Sequence, residues 1–149
     1  MKGNNDKRNG NGTIYYETGF YYKGQWVNDN EHGKGIIYYQ NGKKMYEGDF
    51  INGKKEGSGT LYYENEKPKY VGLFSNDKFE GVGIYFTKEG EYYSGMFHNG
   101  LKNGYCEIYD KEGKLTLNGN FINDEYKRNF SDFINFVKYK IQNFAFYNK

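Results

Sequence analysis

One sequence unit recurs along most of this chain at a nearly constant step. Each copy contains a Tyr-x-Gly-x-Phe/Trp segment, an Asn-Gly or Asn-Asp pair, and then a Gly-x-Gly segment followed by aromatic residues. The copies begin 24, 24, 23 and 24 residues apart, at Tyr22, Tyr46, Tyr70, Tyr93 and Leu117. Self-similarity with this period is the signature of a repeat protein, so the fold must be built by stacking one small unit.

Each unit reads as two short β-strands. In the first unit, side chains alternate between the faces of a strand, so Tyr22, Gly24 and Trp26 share one face while Lys23 and Gln25 lie on the other. A glycine between two rings leaves room for aromatic side chains from neighbouring units to lie over the backbone. The Asn-Gly and Asn-Asp pairs accept positive φ angles and predict tight turns between the strands.

The glycines recur in phase with the aromatic residues and are predicted to be structural. They are Gly24, Gly33, Gly35, Gly48, Gly57, Gly59, Gly72, Gly81, Gly83, Gly95 and Gly104. Unit four departs from the pattern, because Cys106 replaces the third glycine of its set, and the last unit has no Gly-x-Gly segment.

Two strands are not stable alone, so the units are predicted to pair side by side. The expected fold is an all-β repeat, an elongated and twisted single-layer antiparallel sheet of stacked β-hairpins. Residues 1–8 read as a polar tail, and residues 9–127 as the sheet domain. That domain opens with a half unit, because Gly10–Tyr15 aligns with Gly33–Tyr38.

The chain changes character at its C-terminal end. Glycine disappears after residue 127, and residues 128–147 predict one amphipathic α-helix. Three arrangements are open to this helix: packing on or capping its own sheet, docking into a partner, or lying on an anionic membrane. Its apolar face consists of Phe130, Phe133, Ile134, Val137, Ile141 and Phe144.

The unit resembles the MORN repeat (membrane occupation and recognition nexus). The best match runs from Tyr22 to Tyr38, with Trp26, His32, Gly33 and Gly35 in their motif places. The resemblance implies a scaffold: proteins with similar repeats organise cytoskeletal or membrane-associated assemblies, and some hold a helix in a groove.

The residue pattern favours a protein that is not an enzyme. His32 occupies a turn position shared with Glu56 and Glu80, and His98 ends a strand. Cys106 stands in a glycine position, and neither histidine has metal-ligand spacing with it. The Gly-x-Gly segments lead into strands, whereas phosphate loops lead into helices. We therefore expect no catalytic, metal or cofactor site.

Composition and charge limit the classes of partner and the cellular compartment that we expect for this protein. A net charge of +2 gives no field that would attract nucleic acid, and 21% aromatic content argues against a disordered chain. A single cysteine suits a reducing compartment, and the polar N-terminus predicts no signal peptide. We expect a cytoplasmic protein, in a cytoskeletal assembly or at the cytoplasmic face of a membrane.

The leading functional hypothesis is a scaffold or adaptor that holds a helix or extended segment of a protein partner on an aromatic groove. The groove candidates are Tyr22, Trp26, Tyr46, Phe50, Tyr70, Phe74, Tyr93 and Phe97. One alternative is binding of anionic phospholipid through the basic residues Lys127, Arg128, Lys138 and Lys140. Another is that the repeats regulate a larger enzyme, and the sheet ends could also form a homodimer.

Overall fold

The computed structural model of the protein describes residues 7–128, which form one open antiparallel sheet of eleven strands. The strands pair in chain order, each with its sequence neighbours. They are β1 (Gly10–Tyr15), β2 (Tyr21–Val27), β3 (Asn30–Tyr38), β4 (Lys44–Ile51), β5 (Lys54–Tyr62), β6 (Pro68–Ser75), β7 (Lys78–Phe86), β8 (Tyr92–His98), β9 (Leu101–Tyr109), β10 (Leu115–Ile122) and β11 (Glu125–Lys127). The predicted all-β sheet of stacked hairpins is confirmed. The predicted helix over 128–147 falls almost entirely outside the described residues.

The first turn of each unit is a two-residue connection in which both residues have positive φ. Asn28 and Asp29 have φ angles of 49° and 71°, and Asn52 and Gly53 have 51° and 79°. Positive φ at both central residues is the mark of a type I′ turn, whose twist matches that of the flanking strands. The Asn-Gly and Asn-Asp pairs therefore turn the chain as predicted.

One face of the sheet, here called the ladder face, carries a continuous stack of aromatic rings. Tyr22 contacts Trp26 and Phe50 with centroids 5.3 and 5.0 Å apart and with the rings nearly perpendicular. The alternation of tyrosine with phenylalanine or tryptophan continues across the next units. In order, the ladder is Trp26, Tyr22, Phe50, Tyr46, Phe74, Tyr70 and Phe97.

Each ladder tyrosine lies flat over a pair of glycines on adjacent strands. A Cβ atom built on Gly59 would lie 2.6 Å from Cε2 of Tyr46, and Gly48 and Gly59 face each other across the strand pair. The ring ends in a hydroxyl that donates a hydrogen bond to the carbonyl oxygen of Asp49, 3.1 Å away. The same arrangement recurs at Tyr22 and Tyr70, whose hydroxyls donate to Gln25 and Leu73.

The ladder stops at the fourth unit. Cys106 pairs with Gly95 where earlier units pair two glycines, and its side chain is fully buried there. The thiol fills the space over which a tyrosine ring would lie. Tyr93 is only partly buried and is covered by Lys102, whose Nζ lies 4.7 Å from the ring centroid. The replacement of a glycine by Cys106 therefore coincides with the end of the ladder.

We expect Gly59→Ala to destabilise the sheet by about 1–3 kcal/mol, because the new methyl group overlaps a ring held by its own hydrogen bond. Urea unfolding followed by circular dichroism measures the change. Ile51→Ala, at a side chain that is 50% exposed at the end of β4, is the control and should cost about 0.5 kcal/mol or less. Equal stability of the two variants would contradict the account of the ladder.

Stability should also fall at alkaline pH. Burial, reinforced by Glu31 and Glu80 respectively, raises the pKa of Tyr22 and of Tyr70 to about 12. In the unfolded chain a tyrosine ionises near its ordinary value of about 10. Between these values the unfolded chain releases protons that the folded chain retains, so rising pH favours unfolding.

Urea midpoints measured at about pH 8 and about pH 11 test this expectation, with the drop expected only above the ordinary tyrosine pKa. Tyr70→Phe removes one of the groups and should make the drop smaller. A midpoint that does not change with pH would show that these rings do not retain their protons in the fold.

Candidate binding groove

A long groove crosses the opposite side of the sheet, here called the groove face. It runs over β1 to β7 and has a volume of about 1100 Å³. The row of paired glycines, including Gly24, Gly35, Gly48 and Gly59, contributes its floor. A side chain at any of these positions would point to the ladder face, so their backbone forms the floor between the two rows of side chains that form the walls.

The part of the groove over β1 to β5 is mostly polar, and two of its charged side chains, Lys34 and Glu47, are held in ion pairs. Nζ of Lys34 lies 2.6 Å from a carboxylate oxygen of Asp49, and Nζ of Lys44 lies 2.6 Å from Glu47. Desolvation raises the pKa of Asp49, but hydrogen bonds from Lys34 and Ser58 outweigh it, so the net pKa lies below its ordinary value. Asp49 therefore stays an anion near neutral pH.

Over β6 to β9 this face carries several exposed apolar side chains beside polar ones such as Ser94 and Glu107. Five of the apolar side chains on these consecutive strands are exposed by 40–62% and form a surface here called the apolar patch. They are Val71, Leu73, Val82, Met96 and Tyr105. Val71, Leu73 and Val82 also line the groove, so the groove and the apolar patch overlap on β6 and β7.

The predicted groove aromatics lie on the other face, in the ladder. Seven of the eight are only 0–5% exposed, and Tyr93 is partly buried outside the ladder. Because their surface is already in contact with neighbouring rings and glycines, these side chains form the core of the sheet. They offer almost no surface to a partner, which corrects their predicted role as a groove lining.

The basic residues predicted to contact lipid lie at the end of the described residues or outside them. Nζ of Lys127 is paired with a carboxylate oxygen of Glu125 at 2.6 Å, and Arg128 is the last described residue. Lys138, Lys140 and the predicted apolar face of the helix lie outside the described residues. The lipid-binding hypothesis therefore stays a prediction.

His32 lies on β3, whereas His98 and Cys106 lie on the neighbouring strands β8 and β9. Nδ1 of His98 lies 2.9 Å from Oε1 of Glu80, and this contact, together with the amide of Asn99, lowers the pKa of Glu80. Burial raises the pKa of the Cys106 thiol, which keeps it protonated and unreactive. Within residues 7–128, no three histidine, cysteine or acidic side chains are grouped so that they could hold a metal ion.

The sequence contained a signal for the groove face that the aromatic pattern obscured. The same repeat position is occupied by Gln25, Asp49, Leu73 and Met96 in successive units. This change from polar to apolar, on the face opposite to the rings, marks where the groove becomes the apolar patch. An alignment of the successive units shows this change of residue type at that one position.

Comparison with known proteins agrees with the repeat architecture. The family model for the MORN repeat matches five segments, residues 4–20, 22–44, 46–66, 70–91 and 93–114. No curated protein matches the chain. Within residues 7–128, no helix has the length and apolar character required to cross a bilayer. The matched segments coincide with the stacked hairpins and cover most of the sequence, and the chain therefore belongs to the MORN-repeat family.

Proposed function

We propose that this protein is a non-enzymatic scaffold or adaptor whose groove face binds a helix or an extended segment of a protein partner. MORN repeats are generally associated with membrane or protein binding, which suits such a role. The observation that carries the proposal is the open groove of about 1100 Å³ with a glycine floor. We place the assembly it serves in the cytoskeleton or at a membrane.

The dimensions of the groove suit an elongated ligand. Strands lie about 4.8 Å apart, so seven strands extend over about 29 Å. A helix that crosses them at right angles would need about 19 residues at a rise of 1.5 Å each. The polar lining over β1 to β5 and the apolar lining over β6 and β7 call for a partner segment whose two ends differ in the same way.

The electrostatics of the groove favour recognition over catalysis. Glu47, which lines the groove, and Asp49, which pairs with the lining residue Lys34, are both held in ion pairs with lysines. A general acid needs a pKa raised towards neutrality, and the pKa of Asp49 is shifted in the opposite direction. These groups can instead select a partner of complementary charge and fix its register.

The test is a comparison of full-length proteins as baits on extract from the native source. Ile36→Asp places a charge in the groove on β3, and Ile51→Asp places the same charge outside it, at a side chain that is 50% exposed. We expect wild type and Ile51→Asp to retain the same partner, and Ile36→Asp to retain at least about tenfold less, since the new carboxylate must lose its water when a partner docks.

A purified partner segment should then bind wild type with an affinity that Ile36→Asp lowers by a similar factor. If Ile36→Asp retains the partner as well as wild type does, the groove is not the binding surface. Sedimentation with anionic vesicles distinguishes lipid binding from partner binding in the groove. Lipid binding should be sensitive to salt and unchanged in Ile36→Asp, and charge reversal of Lys127 and Arg128 should abolish it.

A further inference from the structure

The apolar patch is a group of exposed hydrophobic side chains on one face of the described sheet. It extends over four consecutive strands, from Val71 and Leu73 on β6 to Tyr105 on β9. Single exposed hydrophobic residues are ordinary, but a contiguous apolar surface rimmed by polar residues marks an interaction site. The patch therefore has the character of an interaction site.

The repeat itself shows that the patch is not needed to build the sheet. In units one and two, the equivalent position holds a polar side chain that bonds to the next strand. Oε1 of Gln25 accepts a hydrogen bond from the amide of Lys34, and Oδ2 of Asp49 accepts one from the amide of Ser58.

In units three and four, Leu73 and Met96 fill that position and pack against Gly81 and Gly104. The backbone pairing of the strands is otherwise the same. An apolar side chain here gives up the hydrogen bond and stays 41–45% exposed, which is unfavourable unless another surface covers it.

We propose that residues 130–146 of the same chain cover the apolar patch as an amphipathic helix lying across the strands. The segment has the required surface, because Phe133, Ile134, Val137, Ile141 and Phe144 fall on one side at helical spacing. Docking this side on the patch leaves Asn135, Lys138 and Gln142 facing water.

The position and length of the segment fit the patch. The sheet ends with β11 at Lys127, and the patch begins at β9 and ends at β6, about 10 to 24 Å back along the sheet. Seventeen helical residues extend over about 26 Å. A helix that turns back at Arg128 therefore reaches the whole patch without a long linker.

Attachment to the chain favours this occupant over a separate molecule. A segment joined by a short connection acts at an effective concentration in the millimolar range, which few free partners reach. Since Val71, Leu73 and Val82 also line the groove, the docked segment would compete with a partner there. This regulatory consequence rests on the proposed function, whereas the docking itself does not.

Hydrogen exchange and limited trypsin digestion of the full chain test the docking. We expect slow amide exchange over residues 130–146 and slow cleavage after Lys138 and Lys140 in wild type. Val82→Asp should accelerate both at least about tenfold, because the charge opposes burial of the patch. Met96→Glu should do the same, and Ile51→Asp should match wild type.

Amide exchange over β4 to β6 reports on the integrity of the sheet. A patch variant whose exchange over β4 to β6 equals that of wild type is folded, and one such variant is enough to test the docking. Equally fast exchange over residues 130–146 in wild type and in the patch variants would overturn the proposal. Protection that disappears on dilution would also overturn it, by assigning the segment to a second copy. Protection that the patch variants abolish, together with equal partner retention by wild type and Ile36→Asp, would preserve the docking and overturn the proposed function.

Discussion

The contact between a tyrosine ring and two facing glycines is the interaction on which the sheet depends. A single-layer sheet has no second layer to bury its side chains, so its core must be built within one face. Gly48 and Gly59 make this possible, because the ring of Tyr46 lies against the backbone of two strands at once. The strand spacing then brings Phe50 and Phe74 against the edges of the same ring.

A second contact joins alternate units to the preceding strand at the three Asn-Asp turns. Oδ1 of Asp77 accepts hydrogen bonds from the amide and from Nζ of Lys55, at 3.0 and 3.2 Å. Nζ of the same lysine lies 5.5 Å from the ring centroid of Tyr46. One aspartate therefore fixes the turn and also positions a cation near the ladder. Asp29 and Asp124 repeat the arrangement with Arg8 and Lys102, which makes stability a sum of contacts between neighbours.

The sequence predicted the strands, the turns and the separation of Tyr22 from Lys23 onto opposite faces. These features depend on local chemistry: alternation along a strand and positive φ at Asn28 and Asp29. It did not predict that Tyr22 would be fully buried. The burial of this ring is produced by Gly35 and Phe50, which belong to the next strands, and alternation within one strand contains no information about them.

Seven of the rings predicted to line a groove are buried in the ladder instead, and the sequence alone could not distinguish the two roles. Aromatic residues are common both in cores and in binding sites, so their presence alone does not distinguish the two. The distinguishing feature is whether a position changes from unit to unit. Tyr22, Tyr46 and Tyr70 recur because in each of the first three full units one ring must pack over two facing glycines.

The groove face is free of that requirement, and there the units differ. Oδ2 of Asp49 accepts a hydrogen bond from the amide of Ser58. Leu73 occupies the same repeat position, but its side chain has no acceptor atom and adds apolar surface. A sheet that needs identical residues on one face can vary the other without losing stability. The direction of that variation, from polar at β1 to apolar at β9, gives an otherwise uniform repeat two distinguishable ends. The two ends of the groove face therefore differ in chemistry although the backbone beneath them repeats.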